Sequence, residues 1–170
     1  GVLAGTPANA NVGDHSVVIT ATDAAGATVT DTFTISVANT NDAPTITSTA
    51  VTAATEDAAY TYTVTTADVD SSDTVTLTGT TVPSWLTFTA STGVLAGTPV
   101  NADVGDHAVV ITATDGDATV TDSFTITVAN TNDATTGAVT VSGDAYDDEV
   151  LTAVTTALAD DDGVGTFTYQ

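Results

Sequence analysis

The acidic side chains of this 170-residue chain, with the Asn residues beside them, are its main candidates for chemistry, and they are clustered in short segments. Four acidic segments lie within residues 43–133, and a further segment, Asn-Thr-Asn-Asp, occurs twice. In chain order the segments are Asn39 to Asp42, Glu56-Asp57, Asp68-Val69-Asp70, Asp103 to Asp106, Asp115 and Asn130 to Asp133. All of them supply oxygen atoms that can bind a hard cation.

The spacing of these groups suits Ca²⁺, which takes about six to eight oxygen ligands from carboxylates, amides, backbone carbonyls and water. Asp68 and Asp70 stand on alternate residues, which project to the same side of an extended segment and can face one ion. Asp in a turn also caps its own backbone, and charges beside a strand protect its edge. Neither use requires every segment to recur, so the sequence predicts calcium at the Asp-x-Asp and Asn-Asp segments.

The same segments recur with a long internal repeat. GVLAGTP, VGDH, VVITATD and ANTNDA each occur twice; the copies are 92 residues apart up to ATD and 91 residues apart after it, so the second copy lacks one residue in that turn. A unit of this length is a domain rather than a short solenoid repeat. We predict a C-terminal half-module at 1–42, a complete module at 43–133 and the N-terminal part of a third, different module at 134–170, as a window of a longer chain.

Charge and composition limit the classes of partner. The chain has no Lys or Arg and 22 acidic residues, for a formal charge of −22. Such a chain repels nucleic acid and anionic membranes, and cations are its expected partner. A hydrophobic content of 42% argues against disorder, and the absence of Cys excludes disulfides within it. No apolar run is long enough to predict a membrane-spanning segment.

Strands are predicted throughout, because apolar and polar residues alternate with period 2 at Phe33 to Val37, Tyr60 to Val64, Val75 to Leu77 and Phe124 to Val128. Turn residues separate these runs at regular intervals. About seven short strands fit in one module, which predicts an all-β fold of tandem antiparallel β-sandwiches. Trp85 is interpreted as a core residue rather than a platform for ligand stacking.

The order of the acidic segments resembles the cadherin calcium-binding framework of a Glu, an Asp-x-Asp, an Ala-x-Asp and an Asp-x-Asn-Asp-Asn linker. PSWLTFTASTGVLAGTP, followed by VVITATDGDATVTDSFTITV, is similar to dystroglycan-type cadherin-like and bacterial Ig-like repeats. The resemblance covers residues 1 to about 133 and implies Ig/cadherin-like sandwiches in an extended rod, secreted to the cell surface as part of large adhesins of Gram-negative bacteria. Residues 137–170 look like another Ig-like repeat of the same adhesins.

Carried over by position, the resemblance implies two calcium clusters, one at each junction between modules. The ligands of the first would be Asn39, Asn41, Asp42, Asp68, Asp70 and Asp115, and those of the second would be Glu56, Asn130, Asn132, Asp133, Asp160 and Asp162. In the third module Asp147-Asp148 stands where the second has Glu56-Asp57.

The chain departs from the cadherin pattern in three places. Its linkers begin with Asn instead of Asp, and Pro44 becomes Thr135 in the second linker, so we expect fewer ions and a less stiff second junction. The Asp-Arg-Glu segment of cadherins is absent, and Asp103 and Asp106 are the nearest substitutes.

The remaining polar residues have plainer interpretations. Asp31, Asp57 and Asp122 are interpreted as surface charges, and His15 and His107 as structural residues at a strand start rather than ligands of a transition metal.

The predicted function is a calcium-stiffened spacer of an extracellular adhesin, active in cell adhesion and biofilm. Its partners would be the neighbouring modules. No nucleophile constellation, oxyanion-stabilising cation or phosphate-binding loop is present, so we do not expect an enzyme. Two alternatives stay open: a calcium-dependent carbohydrate- or surface-binding module, and a filament subunit assembled by strand complementation.

Overall fold

A computed structural model describes residues 1–163 and 165–166, and its regular structure is almost entirely β. Residues 1–42 form a 3₁₀ turn, Asn9–Asn11, and a hairpin of β1 (Gly13–Thr22) and β2 (Thr28–Val37). The two strands pair in antiparallel register from Gly13 opposite Val37 to Thr22 opposite Thr28. Alternating β-branched residues favour such extended strands.

Nine strands and one 3₁₀ turn, Asn101–Asp103, make up residues 43–133. The strands are β3 (Thr45–Ile46), β4 (Ala53–Thr55), β5 (Tyr60–Thr63), β6 (Thr66–Ala67), β7 (Thr76–Thr81), β8 (Leu86–Thr89), β9 (Val94–Gly97), β10 (Gly105–Thr114) and β11 (Thr119–Ala129). The third module contributes the antiparallel pair β12 (Thr140–Ser142) and β13 (Thr152–Val154).

The strands of the complete module form three sheets: a four-stranded sheet of order β4-β11-β10-β7, a three-stranded sheet of order β5-β9-β8, and the pair β3-β6. The prediction of about seven antiparallel strands differs from this in two respects. The first two strands of the module belong to different sheets, because β3 pairs with β6 whereas β4 pairs with β11. Since β4 runs in the same direction as β11, that one pairing is parallel.

The core lies between the two larger sheets, which confirms the predicted all-β sandwich class. Tyr60, Tyr62 and Leu95 come from the three-stranded sheet, and Ile111 and Ile126 come from the four-stranded sheet. Their burial follows the alternation of the sequence, because successive side chains of a strand point to opposite faces.

Trp85 packs against this core, as predicted. It is partly buried and lies edge-on to Tyr60, with 5.7 Å between ring centroids. His107 lies edge-on to Trp85 at 5.8 Å, and its Nε2–H donates to the backbone carbonyl of Asp103. The same bond joins His15 to the carbonyl of Asn11, so each histidine stands near the start of a strand, as predicted, and bonds the preceding turn.

The β10–β11 hairpin repeats the β1–β2 hairpin pair by pair, from Gly105 opposite Val128 to Thr114 opposite Thr119. The connecting turn has five residues at 23–27 and four at 115–118, which is where the sequence predicts a lost residue. The two hairpins differ in burial: Ile111 is 0% exposed, whereas the equivalent Ile19 is 47% exposed. Within the described residues, no second sheet covers β1 and β2.

Asp57 and Asp148 share a left-handed backbone conformation, with φ of 58° and 65°. The structure therefore supports the equivalence of these two acidic segments across the change of module type. Among the described residues, none belongs to a helix long and apolar enough to cross a membrane.

Candidate metal centre at the module junctions

An Asp-x-Asp turn stands at each junction with the same local geometry. Asp68 Oδ1 accepts the backbone N–H of Asp70 at 2.9 Å, and Asp160 Oδ1 accepts that of Asp162 at 3.0 Å. Asp favours this use because its short side chain reaches the backbone two residues on. The turn leaves the second Asp of each pair free to meet the linker from the preceding module.

The linker holds that second Asp through its own backbone. The N–H of Asp42 donates to Asp70 Oδ2 at 2.7 Å, and the N–H of Asp133 donates to Asp162 Oδ2 at 2.6 Å. In each pair this bond is the largest cause that holds the carboxyl pKa below its ordinary value of 3.8. A hydrogen bond to the charged form lowers a carboxyl pKa in this way. Both carboxylates are therefore stabilised in their charged form, although the chain is strongly acidic.

The first junction gathers the remaining predicted ligands of its cluster. The Asn39 side chain adds to the lowering of the Asp70 pKa after Asp42 and Asn9, and Asn41 Nδ2 donates to Asp115 Oδ2 at 3.1 Å. The other oxygen of Asp115 accepts the backbone N–H of Ala118 at 2.6 Å, the largest cause that lowers the pKa of Asp115. Asp115 therefore closes its own hairpin turn and also reaches the linker.

The second junction contains a buried carboxylate. Glu56 is 2% exposed, and its Oε1 accepts the backbone N–H of Thr131 in the linker. Its Oε2 has no hydrogen-bond partner among the described residues. Oxygen atoms of Glu56, Asp133 and Asp162 all lie within 4.8 Å of one another, and the Asn130 side chain lowers the pKa of Asp162 after the larger effect of Asp133. Three carboxylates so close together can hold a cation that satisfies the unpaired oxygen.

The first Asp of each Asp-x-Asp pair has a different environment at the two junctions. Asp68 Oδ2 is buried without a hydrogen-bond partner in the described part of the chain. Asp160 Oδ2 accepts the hydroxyl of Thr135 at 2.7 Å. Pro44 occupies the position equivalent to Thr135 and has no hydroxyl, which leaves the Asp68 oxygen unpaired.

Sequence reasoning missed two residues, Asn9 and Asn101, which lie in the 3₁₀ turns. Asn9 Nδ2 donates to Asp42 Oδ2 at 2.9 Å and to Asp70 Oδ1 at 3.1 Å. Asn101 Nδ2 donates to Asp162 Oδ1 at 3.1 Å. The signal was present in the repeat, because PANANVGDH and PVNADVGDH both keep this Asn, whereas Asn11 of the first becomes Asp103 in the second.

Three predicted ligands have other contacts. Asp103 Oδ2 accepts the backbone N–H of Val100 at 3.0 Å and so closes its own turn. Asp106 Oδ1 accepts the hydroxyl of Thr127 at 2.6 Å on the neighbouring strand. Asn132 Nδ2 donates to the carbonyl of the next residue at 2.9 Å. The assignment of these three to calcium stays a prediction that none of these contacts supports.

Solved structures show what the fold resembles. The chain matches protocadherin gamma B7 extracellular cadherin domains 1–4 with a TM-score of 0.53 and 17% identity, over 79% of this chain and 36% of that one. A second protocadherin gamma B7 structure, of domains EC3–6, gives a TM-score of 0.53 and 18% identity over 82% and 37%. The chain thus spans little more than a third of these relatives, and the likeness is one of fold.

An endo-fucoidan hydrolase from glycoside hydrolase family 107 shares 26% identity with a TM-score of 0.45, over 74% of this chain and 20% of that one. No curated protein sequence matches the chain.

A family model settles the relationship of the sequence itself. The model described as putative Ig domain, He_PIG, matches residues 1–38 and again 43–129. The gap between the two matches contains the first Asn-Thr-Asn-Asp segment, which places this linker between two copies of the domain. The two matches cover well over half of the chain, which is therefore a tandem Ig/cadherin-like repeat and belongs to the putative Ig domain family.

Proposed function

We propose that these modules are spacer repeats of a large extracellular bacterial adhesin, and that Ca²⁺ bound at each junction holds successive modules in a fixed orientation. The observation that carries the proposal is Glu56, a buried carboxylate beside Asp133 and Asp162, one oxygen of which has no hydrogen-bond partner in the described part of the chain.

The donor set fits the ion. A buried charge without a partner costs several kcal/mol in general, and the chain has no Lys or Arg that could pair with Glu56. The ligand atoms are all oxygens, which Ca²⁺ prefers, and they come from carboxylates, which raise its affinity. Bound Ca²⁺ would supply the positive charge that the protein lacks.

The position of the site links binding to orientation. Glu56 belongs to the complete module, Asp133 to the linker and Asp162 to the third module. A cation bound by all three carboxylates would restrict how the modules rotate about the linker. At the first junction Asp70 accepts a hydrogen bond from the backbone N–H of Asp42, and Asp115 accepts one from the side chain of Asn41.

Mutual repulsion is the reason that the junctions would respond to the ion. The hydrogen bond from the backbone N–H of Asp42 lowers the pKa of Asp70. The nearby negative charge of Asp115 raises the same pKa by a smaller amount, because the two carboxylates repel each other. Without a cation, such repulsion weakens the contact between modules. The proposed role is therefore mechanical rather than catalytic.

The adhesin context rests on the sequence resemblance, on the tandem Ig-like domains and on the strong negative charge. Like charges keep such a chain soluble and extended, which suits a spacer. Extracellular calcium modules typically bind with dissociation constants of about 10⁻⁴ to 10⁻³ M, and at ~100 times the dissociation constant bound calcium would stabilise the folded state by about 2.7 kcal/mol per site.

The test compares the 170-residue chain in CaCl₂ with the same chain in EDTA at equal ionic strength. We expect calcium to raise the melting temperature, and we expect small-angle scattering to show a narrower range of module arrangements. Glu56→Gln keeps an oxygen for Thr131 and removes the charge, so calorimetry should show weaker binding at the second junction. Asp122→Asn removes one charge from β11 and serves as the matched control.

Each outcome bears on the proposal. Loss of affinity in Glu56→Gln with unchanged binding in Asp122→Asn would support it. Identical melting and identical scattering in CaCl₂ and EDTA would refute it, as would equal affinity in both variants.

A further inference from the structure

We propose that Asn9 and Asn101 are amide clasps that keep each junction docked when no cation is bound. The carboxylates they hold are those assigned above to calcium, so the proposal rests on that function for its biological meaning. The clasp itself is a contact between protein groups and can be tested without metal.

The same contact occurs at both junctions. Asn9 Nδ2 donates to Asp70 Oδ1 at 3.1 Å, and Asn101 Nδ2 donates to Asp162 Oδ1 at 3.1 Å. These residues are 61 positions apart in each pair, and the two acceptors belong to modules of different sequence. The recurrence across two module types indicates that the contact is a property of the joint.

The clasp adds a connection that the linker does not provide. Asp133 already reaches Asp162 Oδ2 from the linker, and Asn101 reaches the opposite oxygen from the body of the complete module. Together they hold both oxygens of one carboxylate from two directions. A single linker contact would leave the following module free to turn about it, whereas two separated contacts oppose that rotation.

An amide suits this position because it donates hydrogen bonds without adding charge. Asn9 Nδ2 lies between Asp42 and Asp70, 2.9 and 3.1 Å from an oxygen of each. The two N–H groups of one amide can satisfy two carboxylates at once. An Asp at the same place would add a third negative charge.

The amides are not needed for the turns that carry them. In the first turn the side chain of Asn11, not Asn9, accepts the N–H of Ala8 at 2.9 Å. In the second turn Asp103 accepts the N–H of Val100. Replacement of Asn9 or Asn101 should therefore leave the turn formed and remove only the contact across the junction.

The experiment measures distances across each junction between pairs of spin labels. The chain has no Cys, so introduced pairs label only the chosen positions. The exposed pair Thr30→Cys and Thr87→Cys reports on the first junction, and the exposed pair Thr87→Cys and Thr152→Cys reports on the second. Asn9→Leu and Asn101→Leu keep the size of the side chain and remove the donor, and each is the matched control for the other.

In EDTA we expect Asn101→Leu to broaden the distance distribution at the second junction and leave the first unchanged, and Asn9→Leu to do the reverse. Loss of a hydrogen bond to a charged group should lower the ratio of docked to undocked junctions at least about tenfold. Asn101→Asp should broaden the distribution at least as much, because it places a carboxylate beside Asp162. Trp85 fluorescence checks that the complete module stays folded.

Unchanged distributions in EDTA for both Leu variants would overturn the clasp. A fall in calcium affinity with an unchanged distribution in EDTA would also overturn it, because Asn101 would then be an ion ligand only. If the wild-type distribution is the same in EDTA and CaCl₂ while Asn101→Leu broadens it, the clasp stands and the calcium proposal fails.

Discussion

Asp57 and Asp148 hold a backbone conformation that glycine, asparagine and aspartate adopt more readily than other residues. Each directly follows the acidic residue that the repeat aligns at the junction, Glu56 or Asp147. The N–H of Asp57 donates to the carbonyl of Pro99 at 2.9 Å, so the conformation turns the chain immediately after Glu56. Asp57 is thus a residue with a backbone role, which its interpretation as a surface charge did not include.

Substitutions at Asp57 should separate this role from its charge. Asp57→Gly and Asp57→Val remove the same carboxylate, but a β-branched residue fits the left-handed region poorly. We expect Asp57→Val to lower the free energy of unfolding by about 1–2 kcal/mol relative to Asp57→Gly, measured by urea denaturation in EDTA. Equal stability of the two variants would show that the conformation relaxes at no cost.

Strand β9 contributes a side chain to the core and also contacts the neighbouring backbone closely. It lies in the middle of the three-stranded sheet, paired with β5 and β8 on its two sides. Gly97, at its end, passes so close to Trp85 that an added Cβ would lie 2.0 Å from the Trp85 carbonyl oxygen. At Gly5, the equivalent residue of the half-module, such a Cβ would have no atom within 4 Å from the other described residues apart from its two chain neighbours.

The repeat therefore contains its own control for this strand. Gly97→Ala should lower the free energy of unfolding of the complete module by about 1–3 kcal/mol, because the backbone must move to admit the methyl group. Gly5→Ala, the same change in the same motif, should leave it unchanged. Thermal unfolding followed by Trp85 fluorescence measures both, and a similar loss in the two variants would contradict the close approach.

At the scale of the whole molecule, charge dominates. With 22 acidic residues and no Lys or Arg, most long-range interactions between charged side chains are repulsive, in the folded chain as in the unfolded one. Compaction brings these charges closer, so self-repulsion opposes folding. Added salt screens this repulsion, and there are few attractive pairs for it to weaken.

We therefore expect the melting temperature in EDTA to rise as NaCl is increased from about 10 mM to about 500 mM, where the screening length falls from roughly 30 Å to a few ångströms. Calcium should produce a larger rise than NaCl at equal ionic strength, because bound ions add to screening. A fall in the melting temperature with NaCl would show that attractive pairs outweigh repulsion. An equal effect of the two salts would indicate screening alone.

Local pattern accounts for most of the fold that could be predicted. Alternation identified the buried face at Tyr60, Tyr62 and Ile126, because in a strand the face of a side chain is decided by its position alone. The repeat identified the linkers that contain Asp42 and Asp133, and these do meet the Asp-x-Asp turns. Prediction failed at the pairing of β4 with β11, since a strand of three residues has little local signal for its partner.

The sequence by itself determined the strand faces and the oxygen-rich composition of the segments between strands, because each depends on residue type and spacing along the chain. The tertiary structure decided which groups meet across long separations: the burial of Glu56 beside Thr131 and the reach of Asn101 to Asp162. The physical reason is that residue type and spacing act along the chain, whereas Glu56 and Thr131 lie 75 positions apart and Asn101 and Asp162 lie 61 positions apart. Only folding brings such pairs within hydrogen-bond distance.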